Sequence, residues 1–157
     1  MKRLIALLPW VGGLFISAIF VDSLRFKFAG HPTPEHIFTT LRDWSGIGLF
    51  YPAGPWLIGL GELLSSLLLI GVPVVLLLTK KTSLIGISQF TGALIAFGIM
   101  SGAIVFHLFT PLSIQTPIEW DGATPIKFSA ALFYSACVSW SFALIIMLMR
   151  KDSIRRA

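Results

Sequence analysis

Charged residues are scarce in this chain, with 12 basic and 7 acidic side chains among 157 residues. That is about half the share found in soluble domains, too few to cover a water-facing surface of this size. Cysteine is nearly absent. A lone Cys137 excludes an intrachain disulfide framework and any paired-cysteine redox or zinc centre. There is no P-loop, no glycine-rich dinucleotide motif and no Ser-His-Asp spacing. The length allows one domain and excludes a multidomain enzyme, while the apolar content excludes a disordered chain or a nucleic-acid-binding module. The net charge of +5 therefore needs another explanation than an anionic partner.

What the chain has instead is long apolar runs. Four of them, at about 4–24, 56–78, 84–109 and 128–149, each reach the roughly 20 residues a helix needs to cross a bilayer. Their unbroken Leu, Ile and Val content lacks the alternation of a barrel wall. The expected fold is all-α, an integral membrane four-helix bundle forming a single domain. Lys2 and Arg3 before an apolar run also describe a signal peptide, but Val21 and Ser23 make a poor cleavage site, so the first span is expected to be retained.

The basic residues set the expected orientation. Lys2, Arg3, Lys80, Lys81, Arg150, Lys151, Arg155 and Arg156 all fall on one side of a four-span chain, which the positive-inside rule makes cytoplasmic. Both termini are then cytoplasmic, in the inner membrane. Arg25, Lys27, Arg42 and Lys127 lie on the other side, roughly offset by Glu35, Asp43, Glu119 and Asp121.

The first outer connection should carry a short amphipathic helix. Thr33-Pro34-Glu35 is a helix start, with Thr33 as its capping hydroxyl. Ile37, Phe38, Leu41 and Trp44 share one face, and the helix lies on the outer surface or caps the bundle. Trp56 and Trp120 are expected to anchor the outer interface. Helix packing should rely on small residues: Ser88, Gly92 and Ala96, the Gly98/Gly102 pair, Ala131, Ser135, Ser139 and Ala143, and Gly59, Ser65 and Ser66 beside Glu62. Such ladders also serve homo-oligomers. Pro73 should kink the second span and free the Leu69 carbonyl.

Glu62 is the most informative residue, because an acid inside a span marks a partner or a function. With Asp22, Arg25, Lys27 and His107 it can form a polar pocket in the outer half of the bundle. The alternative is structural: Glu62 satisfies itself on Lys27, Arg25 or His107, and Asp22 pairs with Arg25 three residues on. His31, Glu35 and His36 could ligate a metal, but residues near a helix start are more often solvated, so no metal site is assigned. Haem is disfavoured with one histidine in a span, and Cys137 reads as an apolar filler.

Several segments are similar to the DoxX-like family of small four-span bacterial membrane proteins. They are Ile16-Ser17-Ala18-Ile19-Phe20 leading to Arg25-Phe26-Lys27-Phe28-Ala29-Gly30, then Gly61-Glu62 followed by Leu67–Gly71. After them come Gly98-Ile99-Met100-Ser101-Gly102-Ala103 with His107, and Asp121-Gly122. The long first connection, with Gly30-His31-Pro32, departs from the shortest members. The resemblance implies an accessory or assembly subunit of redox or stress-response complexes, with other membrane subunits as partners. It matches Lys27, Glu62 and His107 to the family's polar positions. Any enzymatic role would be that of a quinone-linked oxidoreductase subunit. Two other functions are expected to compete with this one: a site for a quinone or lipid headgroup using Glu62 and His107, and a proton-coupled transporter, disfavoured by the lack of repeats or broken half-helices.

Overall fold

The computed structural model describes residues 2–155, with side chains for residues 6–154. Arg156 and the side chains of Lys2, Arg3 and Arg155 lie outside the described residues. The chain forms α1 (Lys2–Phe28), α2 (Pro32–Ser45), α3 (Ala53–Ser66), α4 (Val72–Leu78) and α5 (Ile85–Phe109). A strand pair, β1 (Thr116–Asp121) and β2 (Thr124–Ser129), precedes α6 (Ala131–Arg155). The fold is an all-α bundle. Four stretches, Ala6–Phe28, Ala53–Leu78, Thr82–Phe109 and Ala131–Ile154, are long and apolar enough to cross a membrane. The chain is a multi-pass membrane protein.

α1 runs through Phe28, beyond the expected end at 24, so Arg25 and Lys27 belong to the helix rather than to an outer loop. Nothing in its last turn breaks it before Gly30, which adopts a left-handed φ of 68°. At the other boundary, Phe128 and Ser129 lie in β2 and the last helix starts at Ala131. The second outer connection is thus a β-hairpin rather than a loop, turning at Gly122 (φ 58°). Lys127 and Glu119 pair across it at 2.6 Å.

α3 and α4 form one span joined by a single π turn, Leu67–Gly71. Pro73 explains that turn, because it lacks the amide that would close onto Leu68 or Leu69. Both freed carbonyls are taken up from α5: Ser88 Oγ donates to Leu68 O (2.7 Å), and Gln89 Nε2 to Leu69 O (3.5 Å). Gly92 completes this seam, since a Cβ there would meet the Ser65 carbonyl at 2.9 Å. Ser65 Oγ returns a hydrogen bond to Gly92 O (2.9 Å). The expected small-residue ladder on α5 is real at Ser88, Gly92 and Ala96.

Gly98 and Gly102 do something different. A Cβ on Gly98 would meet nothing within 4 Å, and one on Gly102 only the edge of Phe106. They are not a helix-packing motif; they leave space. On α6 the buried face is Ala136, Ser139, Ala143 and Ile146, which keeps Ser139 and Ala143 of the expected ladder, while Ser135 is half-buried and Ala131 exposed. Ala136, Ala143 and Ile146 pack with Ile16, Phe20, Leu69, Ala93, Ala96 and Met100 into the core.

α2 lies across the end of the bundle away from both termini, which is the outer end in the expected orientation. Its cap is His31, whose Nδ1 accepts the Thr33 amide (3.1 Å), and not the Thr33 hydroxyl. Thr33 Oγ1 instead donates to Pro117 O (2.9 Å) and accepts from Trp120 Nε1 (2.9 Å), riveting α2 to the hairpin. The Trp120 indole N–H is thereby committed to the Thr33 hydroxyl of α2 rather than to lipid headgroups. Phe38 and Leu41 point inward, while Trp44 is exposed.

The two classes of α5 glycine should respond oppositely to alanine. Gly92→Ala is expected to lower the thermal midpoint in detergent, because backbone stands in the way. Gly98→Ala should raise stability by about 0.5–1 kcal/mol, as for a helical glycine in open space.

Candidate functional site

The small residues of α5 and the span of α2 enclose a cavity of about 680 Å³ in the outer half of the bundle. Its walls are almost wholly apolar, including Phe20, Ile58, Ile99, Met100 and Phe106, with α2 as its roof through Pro34, Ile37, Phe38 and Leu41. Ile47, Leu49 and Leu57 line it and are also more than half exposed, so its mouth is apolar.

Glu62 supplies the polar floor. It lies nine residues into α3, about 14 Å from the outer end at 1.5 Å per residue. The residue is 3% exposed. Lys27 Nζ donates to Glu62 Oε1 (2.8 Å) and Oε2 (2.7 Å), and to Ser23 Oγ (3.0 Å). Ser23 Oγ lies 2.7 Å from Glu62 Oε2 and 2.7 Å from the Phe20 carbonyl. The ammonium faces the carboxylate and the Ser23 hydroxyl together, and the carboxylate retains acceptor capacity on Oε1. Gly59 lets α1 come this close, because the Phe28 ring lies where its Cβ would be and stacks on Trp56 (4.8 Å).

His107, 7% exposed, lines the same cavity from near the outer end of α5. Its Nδ1 lies 2.6 Å from the Ser113 carbonyl. A carbonyl only accepts, so Nδ1 carries the hydrogen. His31 also lines the cavity, edge-on to Phe26 (4.9 Å).

Of the five predicted pocket residues, the structure brings three together: Lys27, Glu62 and His107. Asp22 and Arg25 lie elsewhere. They form an i, i+3 pair (2.9 Å) on the outside of α1, with side chains 59% and 69% exposed, and Arg25 rests on the Phe26 ring (4.5 Å). Ser23 was missed by the sequence reading and His31 was weighed only as a metal ligand; Ser23 stands one turn before Lys27, a spacing that could have flagged it.

His31, Glu35 and His36 are engaged separately. His31 caps α2, Glu35 accepts from Tyr51 Oη (3.0 Å), and His36 meets the Trp120 ring (5.8 Å). Among the described residues no group of three or more His, Cys, Asp or Glu is placed to hold a metal. Burial lowers the His36 pKa, and the hydrogen bond to Glu35 holds the Tyr51 phenol above its ordinary range.

No family model matches the chain, nor does any curated protein or solved structure.

Removing one member of the ion pair should cost far more than removing both. Lys27→Met leaves a buried carboxylate and is expected to destabilise by about 3–5 kcal/mol. The double variant Lys27→Met/Glu62→Leu should recover most of that loss in a detergent-unfolding titration. Equal loss in the single and double variants would show that the two groups are not coupled.

Proposed function

We propose that this chain binds an amphiphilic small molecule, a quinone or a lipid, within the outer half of the membrane. The observation that carries this reading is the cavity of about 680 Å³, apolar throughout except for Lys27, Glu62 and a few neighbouring polar groups. A drug-sized ligand needs about 300–1,000 Å³ and a few convergent polar groups to fix its orientation. The exposed Ile47, Leu49 and Leu57 at the mouth let an apolar tail enter sideways from lipid. Glu62 and His107 then meet the head.

The membrane is the cytoplasmic one, with both termini on the cytoplasmic side. Lys80, Lys81, Arg150 and Lys151 at one end of the spans support this orientation. The DoxX-like resemblance supports the same site, since its three matched positions, Lys27, Glu62 and His107, line one cavity. Within that resemblance the accessory role consists of holding the amphiphile for a neighbouring membrane subunit.

Native mass spectrometry and solvent extraction of the purified protein should reveal a stoichiometric amphiphile. Gly98→Leu/Gly102→Leu, which fills the space, should abolish occupancy while circular dichroism stays unchanged. Glu62→Gln should lower it too. Full occupancy in the filled variant would overturn the reading.

A further inference from the structure

We infer that the site selects a head that donates hydroxyl hydrogens, a quinol or a hydroxyl-headed glyceride, over one that only accepts, such as a quinone. The inference rests on the binding function proposed above. It comes from counting which hydrogen-bonding positions remain open after the protein has satisfied itself.

At the floor, the Lys27 ammonium is turned toward Glu62 Oε1, Glu62 Oε2 and Ser23 Oγ. Glu62 Oε1 accepts only one of these bonds and can take another. The open position at the floor is an acceptor.

At the outer station the answer is the same. The Ser113 carbonyl fixes the hydrogen of His107 on Nδ1, so in the neutral ring Nε2 presents a lone pair. Nε2 has no partner among the described residues, and His107 lines the cavity. The second open position is also an acceptor.

His31 is locked in the opposite tautomer. Its Nδ1 accepts the Thr33 amide, so its hydrogen sits on Nε2 and can be donated. The three side chains thus offer two acceptors and one donor. A hydroxyl both donates and accepts, and suits all three. A quinone carbonyl suits His31 alone, and leaves Glu62 and His107 unmatched in an apolar space where an unmade hydrogen bond is costly.

The test uses the full chain in lipid nanodiscs under anaerobic conditions, with four probes of equal tail length. These are a decyl benzoquinol, the corresponding quinone, the quinol dimethyl ether and 1-decanoylglycerol, with dissociation constants read by calorimetry. The expected result is that at least one hydroxylated probe binds about tenfold or more tighter than the quinone and the ether. Which of the two binds distinguishes a quinol from a glyceride as the source. His107→Phe keeps the ring volume and removes the acceptor, and should reduce that preference several-fold even if Glu62→Gln fails to fold. Quinone binding equal to or tighter than both hydroxylated probes would overturn the selectivity while leaving the cavity a binding site. Binding by none of the four would overturn the binding function as well.

Discussion

A carboxylate placed within the apolar part of a bundle has to be neutralised, and the outer half of this molecule is arranged around that requirement. Glu62 on α3 obliges Lys27 to approach from α1, which in turn requires α1 to remain helical through Phe28. Approach is possible because Gly59 has no side chain, so the Phe28 ring lies against α3 and stacks on Trp56. Ser23, one turn earlier, completes the coordination of the ammonium. The ion pair, the glycine contact and the aromatic stack are successive contacts along one seam. In lipid such a pair contributes little by itself, because desolvation offsets its attraction, but a single unpaired member is strongly unfavourable. Its effect is to fix the rotation of α1 and α3 relative to each other, and so to fix which residues face the cavity.

That rotation explains which parts of the site were legible in the sequence. Glu62 and His107 stood out because polar groups inside apolar helices are rare. Asp22 and Arg25 were grouped with them because alternating helix directions put them at the same depth. At about 100° per residue, Ser23 and Lys27 lie about 40° apart, whereas Asp22 lies about 140° and Arg25 about 160° from Lys27. Once α1 is known to continue to Phe28, Asp22 and Arg25 can only face away. The boundary was the missing information, and apolar runs locate helix ends poorly when amphipathic residues such as Arg25-Phe26-Lys27-Phe28 continue them.

Glycine presented a different ambiguity. The four-residue spacing of Gly98 and Gly102 reads the same whether a neighbouring helix fills the space or nothing does. Only the positions of α2 and α6 decide it, and those depend on contacts distant in sequence, such as Thr33 with Pro117 and Trp120. The hairpin was more accessible. Asp121-Gly122 stands between Thr116-Pro117-Ile118 and Thr124-Pro125-Ile126, a repeated triplet flanking a turn dipeptide, which is a pairing signal. The four spans themselves were plain, because hydropathy over about 20 residues is set by the bilayer rather than by tertiary detail.

The two halves of the bundle answer one constraint in opposite ways. Toward the turn between α4 and α5, the seams are tightly packed. A Cβ on Gly12 would meet the Phe142 ring at 3.0 Å, Gly92 sits on the Ser65 backbone, and α5 side chains reach the carbonyls freed by Pro73. Arg150 adds a bond to Gln89 Oε1 (2.9 Å), tying α6 to the same network. Toward α2, small residues meet open space, and the Glu62 and His107 acceptors are only partly used. Polar groups in hydrocarbon are stable when paired; the bundle satisfies the carbonyls freed by Pro73 at one end, and at the other it turns the remaining acceptor positions of Glu62 and His107 toward the cavity. The closed half supplies the rigidity that holds those acceptors in place, and the open half defines what can fill it.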